Sequence, residues 1–122
     1  MHKKESFFVN RIKSVGHAFR GMLILIRTES SIKIQLAIAL IVTLAGILLD
    51  ISKTEWMFQI GMIGLVMSVE GINTAIEHIA DFVHPEHHHK IGLIKDVAAG
   101  AVFIASIIAV ITAAIIYVPY FI

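Results

Sequence analysis

A stripe of acidic and amide side chains runs along one apolar segment of this 122-residue chain. At 100° per residue of an α-helix, Glu70, Asn73, Glu77 and Asp81 fall within an arc of about 80°. A carboxylate near the centre of a bilayer costs roughly 3 kcal/mol on insertion scales, so ionisable residues inside a membrane segment usually serve a function. We therefore expect this face to carry chemistry.

The depth of each group along that segment indicates two different tasks. Counted from Trp56, Glu70 lies about 21 Å along the helix and Glu77 about 31 Å, near the far boundary of an apolar core of about 30 Å. Carboxylates at such a boundary, Glu77 and Glu29, suit Mg²⁺, which is usually held by one or two carboxylates plus phosphates. The deeper Glu70 could accept a proton from a hydroxyl that arrives through the bilayer. Lys95 could hold phosphate charge, so a lipid alcohol and a nucleotide could meet here for phosphoryl transfer.

Composition restricts the alternatives. The hydrophobic fraction is 57%, which is high for a soluble protein of this size. The absence of cysteine excludes disulfides and zinc–thiolate sites, so any metal must use oxygen or imidazole ligands. Neither a P-loop nor the protein-kinase motifs occur. We expect no cleavable signal peptide, because the first 31 residues are polar and contain no compact apolar core, and no nucleic-acid partner.

Four helical segments are predicted to position these groups within a single domain of residues 1–122. Three apolar segments, 32–49, 56–83 and 97–119, can span a bilayer, where about 20 residues are needed. Residues 6–26 place apolar and basic side chains on opposite faces, which is typical of an amphipathic helix lying on a membrane surface; the alternative is a helix packed on a protein core. Alanines spaced by four residues predict a packing seam on the third span, formed by Ala101, Ala105, Ala109 and Ala113.

Basic residues determine the predicted orientation. Seven Lys and Arg side chains, Lys3 and Lys4 among them, occur within residues 1–33, against two Glu. The positive-inside rule therefore puts the N-terminus and the 84–96 loop in the cytoplasm, with the 50–55 loop and the C-terminus outside.

Two motifs carry a resemblance to a known family. Residues 70–77 read EGINTAIE, followed by Asp81 and by KDVAAGA at 95–101. This pattern resembles the prokaryotic diacylglycerol kinase family, which includes undecaprenol kinases, with its E-x-x-N-[TS]-A-[IV]-E segment followed by K-D-x-[AG]-[AS]. The resemblance implies an all-α integral membrane protein of the bacterial inner membrane, forming a homotrimer of three-span subunits whose active sites are shared between neighbours. It also implies transfer of a phosphoryl group from ATP, with Mg²⁺, to the hydroxyl of diacylglycerol or undecaprenol.

The resemblance implies individual roles. It makes Glu70 the catalytic base, and Glu29 and Glu77 the metal carboxylates. His87 stands where the family has tyrosine, and His17 where an aromatic residue is common. Nucleotide contacts are implied at His17, Asn73, Glu77, Glu86, His87, His88, Lys95 and Asp96. Contacts with the lipid substrate are expected at Ser14, Trp56, Glu70 and Ala99. Segments 27–29, 55–57 and 96–102 look closer to the undecaprenol-kinase branch.

Two other functions remain open on the sequence. A small oligomeric proton-coupled transporter would use Glu70 as its titrating carboxylate and need a pH gradient instead of ATP. The clustering of Glu29, Glu77 and Lys95 at one interface argues against it. A non-catalytic membrane adaptor would show neither activity. The histidines at 84 and 87–89 are interpreted as an exposed interfacial loop, with a transition-metal site as the alternative.

Overall fold

The computed structural model describes residues 6–122, and every regular element in that range is helical. The predicted all-α fold is therefore confirmed for this part of the chain. Lys3 and Lys4, which belong to the predicted basic segment, lie outside the described residues, as does the start of the predicted domain. The helices are α1 (Phe7–Thr28), α2 (Ser30–Leu49), α3 (Lys53–Val83) and α4 (His89–Tyr117), followed by a 3₁₀ turn at Val118–Tyr120.

Local sequence fixes the turn between α2 and α3. Asp50 adopts a left-handed conformation with φ of 50°, which a short polar side chain tolerates better than most. The Ser52 hydroxyl accepts from the Glu55 N–H at 3.2 Å, and Glu55 Oε1 accepts from the Ser52 N–H at 2.9 Å. This reciprocal capping box explains why α3 begins at Lys53, three residues before the predicted span.

Within residues 6–122, three helices are long and apolar enough to cross a membrane: Ser30–Leu49, Lys53–Val83 and His89–Tyr120. The three-span prediction is confirmed in that sense. With 31 residues, α3 is about 46 Å long and exceeds an apolar core of about 30 Å, so one of its ends can extend among the headgroups. The predicted loop 84–96 is shorter in the structure, because α4 already begins at His89.

Helix α3 is the element on which the others meet. It packs along α4 over most of its length and contacts α2 less extensively, while α1 contacts α2 near their junction. The face that α4 buries is formed by Ala98, Ala105 and Ile116. Ala101 is exposed, so the predicted seam with four-residue spacing is wrong at its first position. Helix α1 buries none of its own residues against the rest of the chain.

Candidate functional site

Polar side chains are buried in the middle of α3. Glu70 and Asn73 are each 7% exposed, and Thr74 is 6% exposed. The Thr74 hydroxyl donates to the Glu70 carbonyl oxygen at 3.0 Å, so it is satisfied within the helix. Among residues 6–122, no group hydrogen-bonds or ion-pairs with the Glu70 carboxylate. Glu70 is therefore a buried side chain whose carboxylate has no polar partner among the described residues.

Asn73 orients the next carboxylate on the same face. Its Nδ2 group donates to Glu77 Oε1 at 3.2 Å, and the second oxygen of Glu77 has no hydrogen-bond partner within residues 6–122. Asn73 Oδ1 is buried and has no hydrogen-bond partner among the described residues. A buried unpaired acceptor is costly and calls for a ligand or a neighbouring chain. Asn73 and Glu77 together thus present unpaired oxygen atoms one to two turns from Glu70.

The junction between α1 and α2 lies beside this part of α3. Glu29 is the single residue between the two helices, and its Oε1 atom is 3.9 Å from Nε2 of His78, which directly follows Glu77. A Cβ atom on Gly71 would lie 3.1 Å from Leu25 Cδ1, so the end of α1 also approaches α3 closely. The carboxylate of Glu29 therefore lies at the same end of the bundle as Glu77.

A polar cavity of about 250 Å³ lies at the turn between α3 and α4. Lys95 Nζ of α4 donates to Asp81 Oδ1 of α3 at its edge. Four of the side chains predicted to contact a nucleotide line this cavity. These are Glu86, His87, His88 and Lys95.

Hydrogen bonds determine which ring nitrogens of two histidines remain available in that cavity. His84 Nδ1 lies 2.8 Å from the Glu86 carbonyl oxygen and must donate to it, which leaves Nε2 as an acceptor in the neutral ring. His88 Nδ1 accepts from the Lys90 N–H at 3.1 Å and caps α4, which leaves Nε2–H as a donor. His88 therefore suits an anionic oxygen better than a metal ion. Within residues 6–122, no three His, Asp or Glu side chains converge as metal ligands.

Other predicted site residues lie at a distance from these groups or face outward. His17 and Ser14 are exposed on α1, and Asp96 and Ala99 are exposed near the start of α4. Trp56 is 14 residues before Glu70, hence about 21 Å along α3. Its ring packs on Gly46 of α2.

Polar contacts at the opposite end of the bundle are absent from the sequence prediction. Gln59 is 6% exposed, and its Nε2 group donates to the Val42 carbonyl oxygen at 3.1 Å. The Tyr117 hydroxyl lies 2.9 Å from the same oxygen and also contacts Gln59 Oε1. A mainly apolar cavity of about 230 Å³ lies beside them, lined in part by Gln35. Glutamine inside an apolar segment is the signal that could have indicated these contacts, because such side chains seek partners in a membrane.

Comparisons with known proteins bear on this arrangement. A family model described as prokaryotic diacylglycerol kinase matches residues 16–117. The chain is 39% identical over 119 residues to an undecaprenol kinase of Bacillus subtilis. The aligned residues make up 97% of this chain and 94% of the relative. It is 32% identical over 105 residues to a diacylglycerol kinase of Escherichia coli strain K12, with 86% of each chain covered. A diacylglycerol kinase of Pseudomonas aeruginosa is 29% identical over 101 residues. None of these comparisons supports the transporter alternative.

Proposed function

The chain belongs to the prokaryotic diacylglycerol kinase family and is a multi-pass membrane lipid kinase, and on that premise we propose that its acceptor is undecaprenol and that ATP is the phosphoryl donor. The product would be undecaprenyl phosphate. The observation that carries the proposal is the buried carboxylate of Glu70, unpaired among the described residues, on the same face of α3 as Glu77, with a polar cavity at the end of that helix. Such a stripe joins an apolar environment to a water-accessible one on a single helix.

Glu70 acts as the general base in this proposal. The lipid hydroxyl oxygen attacks the γ-phosphorus, the bond from that phosphorus to the oxygen of the β-phosphate breaks, and ADP leaves. Glu70 accepts the hydroxyl proton as the new bond forms. Its burial and its lack of a partner among the described residues support this role, because a carboxylate engaged in an ion pair would be a weaker acceptor.

Mg²⁺ fits the oxygen atoms that α3 leaves unsatisfied. Glu77 and Glu29 would hold the ion, and the unpaired Asn73 Oδ1 is a further oxygen donor nearby. Carboxylate and amide oxygens are the ligands that this hard cation prefers, together with phosphate and water. When bound, Mg²⁺ would neutralise phosphate charge. The hydrogen bond from Asn73 keeps the Glu77 carboxylate oriented before any ion arrives.

The nucleotide occupies the cavity at the α3–α4 turn in this proposal. Lys95 and the His88 Nε2–H group face phosphate oxygens. Glu86 and His87 line the same cavity and contact the nucleotide in this proposal. His17 and Asp96 lie outside that lining, and their nucleotide contacts are proposed from the resemblance to the family alone.

The membrane arrangement is proposed from charge and apolarity. Helix α1 lies on the cytoplasmic surface of the inner membrane with its exposed apolar side chains among the lipids, and the N-terminus is cytoplasmic. Three subunits form a homotrimer with shared sites, as the resemblance to the family implies. Ser14, Trp56 and Ala99 contact the acceptor lipid.

Overall sequence similarity favours undecaprenol over diacylglycerol as the acceptor. The relative named undecaprenol kinase is more similar to this chain, at 39% identity, than the diacylglycerol kinase of Escherichia coli, at 32%. Purified protein in bilayers, given γ-labelled ATP and equal amounts of undecaprenol, diacylglycerol and ceramide, tests the choice. We expect mainly labelled undecaprenyl phosphate. Mainly phosphatidic acid would make diacylglycerol the acceptor, and no labelled lipid at all would contradict the phosphotransfer proposal.

A further inference from the structure

The ion pair between Asp81 and Lys95 links α3 to α4 at the cavity of the α3–α4 turn. Asp81 and Lys95 side chains are 58% and 37% exposed, respectively, so both are accessible to a ligand in water. Among the described residues that line this cavity, Lys95 is the only lysine or arginine. Its ammonium group is therefore the principal positive charge offered to an anion there, and it is already engaged by a carboxylate.

The strength of this pair is small enough for exchange. Ion pairs between exposed side chains contribute about 0.2–1 kcal/mol, because water screens the attraction and two long side chains lose freedom. A nucleotide carries several negative charges on adjacent phosphates and can outcompete a single carboxylate. Asp81 and the nucleotide phosphates would thus compete for one ammonium group.

Position on α3 places Asp81 beside the proposed metal site. Asp81 lies four residues after Glu77, and residues four apart on a helix have neighbouring side chains. The ion pair therefore holds the ammonium group of Lys95 one turn beyond Glu77, at the cavity.

We propose that Asp81 is an exchangeable partner of Lys95, which releases the lysine to the phosphates of an incoming nucleotide and recaptures it when ADP leaves. The inference rests on the proposed nucleotide cavity and adds a residue to it. Asp81 does not touch the reacting atoms in this account. It acts through Lys95, and its effect is to weaken the binding of nucleotide and so to favour product release.

The test is calorimetric titration of the purified full-length protein in lipid micelles with ADP and Mg²⁺. Asp81→Asn keeps an oxygen that can accept from Lys95 but removes the competing charge, so we expect ADP to bind about 1.5- to 5-fold more tightly, from the cost of an exposed ion pair. Asp81→Glu should bind as the wild type does. Asp50→Asn is the matched control at the other end of α3, where asparagine also tolerates the left-handed conformation, and should leave affinity unchanged.

A second background separates exchange from general repulsion. If Asp81 acts through Lys95, Asp81→Asn should no longer tighten ADP binding in a Lys95→Met protein, whereas direct repulsion between Asp81 and the phosphates would persist there. Equal tightening in both backgrounds would overturn the exchange proposal, as would unchanged or weaker ADP binding in Asp81→Asn. A wild-type protein that binds no ADP would instead contradict the nucleotide cavity itself, and the exchange proposal would fall with it.

Discussion

Replacement of Glu70 by glutamine is the most direct perturbation of the proposed chemistry. The side chain is 7% exposed, and its carboxylate has no partner among residues 6–122, so an amide of the same shape breaks no hydrogen bond that the structure describes. Glutamine brings no charge into this buried position, so we expect the free energy of unfolding to be unchanged or slightly higher. What the amide cannot do is accept a proton from the lipid hydroxyl.

The magnitude follows from that single loss. A positioned general base typically contributes a factor of about 10²–10⁴ in rate, equivalent to about 2.7–5.4 kcal/mol in the activation barrier. We expect kcat to fall by that factor in Glu70→Gln. The affinity for nucleotide should stay within about twofold, because the cavity at the α3–α4 turn does not include residue 70.

The assay is initial-rate transfer from labelled ATP to undecaprenol in bilayers, with nucleotide binding measured separately by calorimetry. Glu55→Gln is the matched control. Glu55 lies on the same helix about 22 Å from Glu70, and glutamine keeps the oxygen that accepts from Ser52 and Tyr120. The control should keep most of the wild-type kcat. Retention of more than a tenth of the rate by Glu70→Gln would refute the base assignment.

Two further predictions concern the metal and the packing of α2 on α3. Glu77→Gln should raise the Mg²⁺ concentration for half-maximal rate by at least about tenfold, because the loss of even an outer-shell partner typically lowers metal affinity that much. An unchanged Mg²⁺ titration would remove Glu77 as a ligand. Gly46→Ala should lower the free energy of unfolding by about 1–3 kcal/mol in a denaturant titration, because the new Cβ atom would lie 2.8 Å from Trp56 Cη2. Wild-type stability of that variant would mean that the Trp56 ring moves aside without cost.

The sequence predicts the three apolar helices and the shared face of Glu70, Asn73 and Glu77 well, because both follow from local periodicity. Asn73 and Glu77 are four residues apart, and their hydrogen bond is what that spacing predicts on one helix face. The early start of α3 also has a local signal that the prediction did not use: Ser52 followed three residues later by Glu55 is a capping-box pattern. Helix α4 begins at His89, eight residues before the predicted span, because hydropathy indicates where a helix enters lipid and says little about where the helix begins.

Periodicity in the sequence does not predict contacts between segments that are distant along the chain. Gln59 and Tyr117 are 58 residues apart, and no local pattern pairs them. The seam on α4 shows a related error. A four-residue spacing rotates by about 40° at each step, whereas Ala98 and Ala105, seven residues apart, differ by only about 20° and stay on the face toward α3.

The two ends of the bundle are joined by contacts of unequal strength. Gln59 and Tyr117 connect α3 and α4 to the Val42 carbonyl of α2 in an apolar setting, where separation would leave polar groups unpaired. At the opposite end, among the described residues, side-chain polar contacts between helices are limited to the exposed Asp81–Lys95 pair and a 3.9 Å approach of Glu29 to His78. Spreading the helices at that second end costs less free energy. We expect a long-chain alcohol to enter laterally from the membrane leaflet, between the helices at this weaker end. The Gln59 and Tyr117 contacts at the other end would act as the hinge, and the alcohol would not have to pass through a pore.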